Sequence, residues 1–194
     1  VVFTSEADLR GTQPNPDQAD GEWGGIVILG SAPQNRCIVS GATPGTNGCE
    51  QDIEGVSSPA ARYGGENAND SSGVLRYVQV KHAGFELTLD NELNGIAFQG
   101  VGSGTDVSFI QVHNNQDDGV EFFGGTVDVN NVIVTGTGDD SFDWTDGWRG
   151  DAQYLILRQE PGLTSDPRVI EGDNLDGDND ALPRSAPRIA NLTI

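Results

Sequence analysis

Basic residues are scarce. Ten lysines and arginines stand against thirty aspartates and glutamates, a formal charge of −20 over 194 residues. Nucleic-acid binding calls for the opposite, a basic patch or stripe facing the phosphates. An anionic membrane surface disfavours such a chain for the same reason. Long apolar runs are also missing. "GGIVILG" (24–30) falls far short of the ~20 residues of a membrane span and reads as a buried strand. No initiator methionine and no export signal precede the strand-like opening "VVFTS", and the chain stops inside another such run, "IANLTI". The expectation is a processed or excised segment of a longer secreted polypeptide.

Cysteine is nearly absent. Cys37 and Cys49 bracket "CIVSGATPGTNGC", a Gly/Pro/Thr loop with no zinc-type partners nearby. A loop-stapling disulfide is the favoured reading, with two free thiols as the alternative. Such a closure contributes ~3 kcal/mol in the chain-entropy model. It also points to an oxidising compartment outside the cytoplasm.

What the chain does have is glycine, 27 residues of it, and a repeat. Three segments align when written above one another: "NGIAFQGVGSGTDVSFIQVHNNQ" from Asn94, "DDGVEFFGGTVDVNNVIVTGTG" from Asp117 and "DDSFDWTDGWRGDAQYLILRQE" from Asp139. A partial copy, "SGVLRYVQVKHAG", precedes them, and "APRIANLTI" repeats the second half once more. Val78, Ile110, Val132, Leu155 and Leu192 form one apolar column. Val80, Val112, Val134, Leu157 and Ile194 form another two residues on, which places both on one strand face. Ile96, Val120, Phe142 and Ile170 align likewise, followed by Phe98, Phe122 and Trp144. Short strands between Gly/Asn/Asp turns, without helical period, exclude a doubly wound or bundle fold. The leucine-rich signature is absent, and an antiparallel sandwich would not keep register over four copies. The pattern predicts an all-β parallel β-helix, a solenoid of ~22–23 residues per coil, right-handed by the crossover rule. One domain spans residues 1–194, with a loop-rich insertion at 37–73 and an Asp/Pro-rich excursion at 159–187 before the last coil.

The blocks "GEWGGIVILGSAPQN", "YGGENANDSSGVLRYVQVKHAG", "NELNGIAFQGVGSGTDV", "DDGVEFFGGTVDV" and "IEGDN" together resemble a group of uncharacterised secreted or surface-exposed bacterial β-helix proteins. The resemblance covers nearly the whole chain. It implies the β-helix fold and export to the cell surface or the medium. It implies no reaction and no catalytic residue.

Stacked coils lie ~4.8 Å apart, so outward side chains form ladders. One ladder reads Ala97, Glu121, Asp143, Glu171, and at the start of the coil Asp117–Asp118 recurs as Asp139–Asp140. Like charges at that spacing repel by about 1 kcal/mol per pair in water and by several times more near a protein surface. Splaying into solvent, retention of a proton, or a bound calcium-type cation each relieves the repulsion. A second cation candidate is "EGDNLDGDND" (171–180). There Glu171, Asp173, Asp176, Asp178 and Asp180 alternate with Asn and Gly, without the EF-hand spacing. A solvated loop is its bland alternative.

A catalytic reading uses the same acids. Carboxyl pairs ~5 Å or ~6.5–9.5 Å apart serve retaining and inverting glycosidases, spacings that adjacent and alternate coils supply. Asp140, Asp143 and Glu121 would then be the acid/base set. Trp144 or Trp148 would be the sugar platform, and Trp148 with Arg149 an exposed ligand-binding turn. Lyase chemistry would instead take calcium and an arginine base, Arg149 or Arg158. Neither enzyme class shows a motif here, and fold alone does not confer function. His82 and His113 read as surface turn residues rather than ligands, Phe98–Phe122–Trp144 as core stacking, and Trp23 as packing of the first coil.

The expected function is an exported, non-catalytic structural or adhesive β-helix module, stabilised by disulfide and calcium. Divalent cations, polysaccharide or neighbouring copies covering the open coil ends are its expected partners. The competing expectation is a polysaccharide lyase or hydrolase, or a carbohydrate-binding protein, working on the acidic face.

Overall fold

The computed structural model describes residues 1–53, 55–88, 91–160 and 168–194. Its backbone winds alternately through two parallel sheets. The larger contains β1 (Val2–Phe3), β5 (Val74–Ala83), β9 (Asp106–Asn115), β11 (Val129–Thr137), β13 (Asp151–Arg158) and β14 (Arg188–Thr193), hydrogen-bonded in that order. The smaller contains β2 (Ile26–Leu29), β8 (Ile96–Gln99), β10 (Val120–Phe123) and β12 (Phe142–Thr145), neighbours in chain order. Two short antiparallel hairpins lie outside the coils: β3 (Gln51–Asp52) with β4 (Arg62–Tyr63), and β6 (Glu86–Thr88) with β7 (Asn91–Glu92). This is the expected parallel β-helix.

The register reproduces the columns. Val78 pairs with Ile110, Ile110 with Val132, Val132 with Leu155 and Leu155 with Leu192. In the smaller sheet Ile96, Val120 and Phe142 stack, and Ile170 bridges to Phe142. Inward Val, Ile, Leu and Phe from both sheets form one continuous core. At its centre Phe122 lies 5.2 Å from Phe98 and 5.1 Å from Phe142, ring centre to ring centre. β-branched side chains suit the strands because their restricted χ1 fits a pleated, buried surface.

Three bends close each coil, and each uses a left-handed backbone position at the same column. Tyr77, Phe109, Asn131, Tyr154 and Asn191 have φ between 54° and 60°. His82, Asn114 and Gly136 form a second such column, and Gly100, Gly124 and Asp146 a third. The first column breaks the two-residue alternation inside the long strands: in β9 both Val107 and Ile110 are buried, three residues apart. A count by twos therefore finds only the second half of each long strand.

One short helix was not expected: α1 (Glu6–Arg10), capped by the Ser5 hydroxyl, which accepts the Asp8 N–H at 3.0 Å, and ended by Gly11 at φ 62°. Ser5 followed three residues later by an acid is the local signal for it. Among the described residues no helix is long and apolar enough to cross a membrane.

The Cys37–Cys49 disulfide forms as expected. The segment it closes is tied to the coils by the Asn35 N–H on the Asp146 carbonyl at 3.0 Å and by Arg36 Nε on the Asp146 carboxylate at 2.9 Å. The histidines are placed otherwise than expected: both lie within long strands, and His82 is buried with Nδ1 2.6 Å from the Ala19 carbonyl. The loop before β2 runs along that bend and covers it. Trp23 packs against the core as expected and donates from Nε1 to the Lys81 carbonyl at 2.7 Å.

Candidate acidic site at a coil bend

Asn94, Asp118 and Asp140 each stand two residues before a registered core position, so they form one column ahead of the smaller sheet. The backbone there is laddered: Gly95 N–H donates to the Asp118 carbonyl and Gly119 N–H to that of Asp140. The side chains extend the ladder. Asp118 Oδ1 accepts the Asp140 N–H at 2.9 Å, and Asp140 Oδ1 accepts the Arg168 N–H at 3.1 Å. Each aspartate thus fastens its coil to the next.

The outward ladder lies beside this column. Glu121 pairs in register with Asp143, and Asn94 Nδ2 donates to Glu121 Oε2 at 2.5 Å. Two carboxylate triads result: Asp117, Asp118 and Asp139, then Asp118, Glu121 and Asp143, the oxygens of each within 4.8 Å of one another. Asp118 belongs to both. The second triad does not splay into solvent, since Asp118 and Glu121 are buried and Asp143 is half-buried; Asp140 is buried beside it, whereas Asp139 of the first triad is exposed. Glu121 also lines a cleft of about 260 Å³ whose far wall is Arg36, Gln51, Asp52 and Tyr63 from the disulfide-bearing insertion.

Burial governs the protonation of these groups. It holds Asp118 well above the ordinary carboxylate range, and the charges of Asp117 and Asp143 add to the effect. Burial, then a hydrogen bond shared with Glu171, raises Asp140 to about 8. Glu171 is lowered, first by that bond, so of the two Asp140 holds a proton the more tightly. Asp143 is raised to about 6 by burial, partly offset by its hydrogen bond with Glu121. Arg168, which follows Asp140 in the column, binds Glu171 at 2.7 Å and closes the acidic end.

Some expected site residues do not join. Asp173, Asp176, Asp178 and Asp180 enter neither triad. Their loop is organised by Asn174, whose Nδ2 donates to the Asn179 and Ala181 carbonyls and whose Oδ1 accepts from Asn35 and Ser185. Arg158 is engaged with Glu160 at 2.9 Å. Arg149 is exposed.

Trp148 requires a correction. It was expected as an exposed platform and is 0% exposed, stacked on Phe122 at 4.1 Å, with Nε1 donating to the Val127 carbonyl at 3.1 Å. The left-handed Asp146 and Gly147 turn the chain inward, and Gly150 leaves room for the indole: a Cβ there would lie 2.7 Å from Trp148 Nε1. Sequence reasoning missed Asn94 and Arg168, although their spacing from Ile96 and Ile170 was the available signal. It also missed the Arg36–Asp146 pair, which joins residues far apart in the chain.

Two parallel sheets winding around one apolar core, with residues recurring at fixed columns, define a β-helix protein. The chain belongs to the pectate-lyase-like β-helix domain family, which matches residues 1–194. Neither curated proteins nor solved structures give a match.

Proposed function

We propose that the protein is a non-catalytic extracellular β-helix module, structural or adhesive in role, whose coils are braced by calcium at the acidic bend. The observation that carries this reading is the second triad. Oxygens 2.3–2.6 Å from one calcium ion lie no more than about 5 Å apart, a limit that Asp118, Glu121 and Asp143 satisfy within 4.8 Å. Asp143 Oδ1 and Asn94 Oδ1 are buried there without a hydrogen-bond partner. Buried polar atoms in that condition are rare in folded proteins, and a hard cation satisfies acceptors of this kind. Calcium suits an all-oxygen protein cage better than magnesium, which keeps its waters. The disulfide supports an oxidising location. Burial of Trp148, which removes the expected sugar platform, weighs against a polysaccharide-cleaving site.

Chelation decides the matter. EDTA is expected to lower the melting temperature and calcium to restore it, and Asp118→Asn should abolish the response. An unchanged melting temperature in EDTA overturns the cation site. Turnover of any polysaccharide by the wild type, lost in Asp140→Asn or Asp143→Asn, overturns the non-catalytic reading.

A further inference from the structure

One groove does not involve the acids. It lies on the outward face of the larger sheet and has a volume of about 860 Å³. Its central feature is the first left-handed column, Tyr77, Phe109, Asn131, Tyr154 and Asn191, all of which line it. Tyr77, Phe109 and Tyr154 are 67%, 47% and 52% exposed. Left-handed backbone costs an L-residue other than glycine roughly 1–2 kcal/mol, with Asn the usual tolerated exception. Asn131 and Asn191 show what the bend itself accepts. Aromatic rings held there in solvent gain no core packing for that strain, and strain of this kind concentrates at ligand sites.

The spacing selects the ligand. Tyr77 and Phe109, one coil apart, stack on each other at 4.8 Å with 11° between their planes. Phe109 and Tyr154 are two coils apart, ~9.5 Å at the usual strand spacing, and only Asn131 stands between them in the column. Two van der Waals contacts of about 3.5–4 Å leave roughly 2 Å for the guest. A puckered pyranose has that thickness, whereas a flat aromatic ring is thinner. No side chain lining the groove is charged, in a protein carrying 40 charged residues (30 acidic and 10 basic), and the one charged group at its edge, the Val1 ammonium, is held by the Tyr77 carbonyl at 2.7 Å. The polar lining is amide and hydroxyl, Gln79, Gln111 and Asn131 among it. The amide of Asn131 makes no hydrogen bond among the described residues. Such a lining, inside a field of −20, admits uncharged hydroxyl-rich polymers and repels polyanions.

We propose that this slot binds a neutral polysaccharide, one pyranose ring seated between Phe109 and Tyr154 and the chain continuing along the groove across successive coils. This deepens the adhesive half of the preceding reading and rests on it. The two fail separately, because the groove and the carboxylate triads lie on different sheets.

Affinity electrophoresis through gels containing β-glucan, xylan or mannan tests the assignment, with polygalacturonate as the anionic control. Wild type is expected to be retarded by at least one neutral glycan and not by polygalacturonate. Phe109→Asn and Tyr154→Asn should weaken binding about tenfold, the effect of one lost ring contact of about 1.4 kcal/mol. Their melting temperatures should hold or rise, because asparagine already occupies this column at 131 and 191. Asn131→Tyr should fill the slot and abolish retardation. Asp118→Asn should alter the calcium response and leave glycan affinity unchanged. Absence of retardation by every neutral glycan, retardation by polygalacturonate alone, or unaltered binding in both ring variants overturns the proposal. A wild-type dimer in sedimentation that Phe109→Asn converts to monomer also overturns it, by assigning the face to a second copy of the chain.

Discussion

Trp148 is the largest fully buried side chain in the molecule, and its contacts join Phe122, Phe142 and Trp144 into one aromatic cluster. Truncating a buried aromatic removes its transfer free energy and leaves a cavity that relaxes only partly. Trp148→Ala is expected to cost about 3–5 kcal/mol in urea denaturation; a loss below about 1 kcal/mol would show that the indole is not part of the core. Asp140 acts in the opposite sense as pH changes. Its folded value of about 8 lies above the ordinary 3.8, so the folded state binds the proton more tightly than the unfolded chain. The stability it contributes is present below about pH 3.8 and is lost as pH rises through 8. Asp143, raised to about 6, contributes with the same sign over a narrower window. His113, lowered by burial from 6.5, opposes both at the acid end of this range. Cation-free protein should therefore lose stability between pH 6.5 and 8, and Asp140→Asn should flatten that slope in melting curves recorded in EDTA. A slope identical in the variant would remove Asp140 from the account.

Among the elements, the disulfide-bearing insertion has the clearest energetic role. Closing the short loop between Cys37 and Cys49 contributes ~3 kcal/mol, and Arg36 at its foot pairs with buried Asp146. Burial raises Asp146 and the guanidinium offsets that rise, so loss of Arg36 leaves a buried acid without its charge partner. Arg36→Ala is expected to destabilise by about 1–3 kcal/mol. Reduction of the disulfide should lower the melting temperature and loosen the wall of the cleft over Glu121, read as faster amide exchange at Glu121 and Phe123. Unchanged exchange there would mean that the insertion does not cover the site. At this scale the strands were legible because inward Val, Ile and Phe recur at matching offsets, as in Ile96, Val120 and Phe142. The left-handed bends were not. Tyr77 and Phe109 carry no turn-forming side chain, and bulky residues rarely adopt positive φ.

For the molecule as a whole, the acidic surplus and the solenoid combine. Thirty carboxylates on a stack of coils repel one another, and the fold answers in two ways: burial raises the proton affinity of acids such as Asp140, and the bend gathers carboxylate oxygens within 4.8 Å of one another. The two answers compete at any one carboxylate, because a metal ion takes its ligands deprotonated. Calcium should therefore raise the melting temperature more at pH 8 than at pH 5.5. Equal increments at both values would show that the ion does not displace protons from this cluster.

The sequence by itself determined the coil period, the inward columns, the parallel sheets and the disulfide. Each of these is a local or strictly periodic property, written at fixed offsets and enforced by the need to bury apolar side chains. It also named Asp118, Glu121 and Asp143, since ladder positions follow from register. Only the tertiary structure decided that these acids are withdrawn from solvent, that Asp173, Asp176, Asp178 and Asp180 enter neither triad and that Trp148 turns into the core. It alone showed that Tyr77, Phe109 and Tyr154 face solvent in one column. These outcomes depend on three bends per coil and on an insertion folding back over a distant strand. Backbone reversals of that kind set the direction of a side chain through space, and no offset along the chain records it.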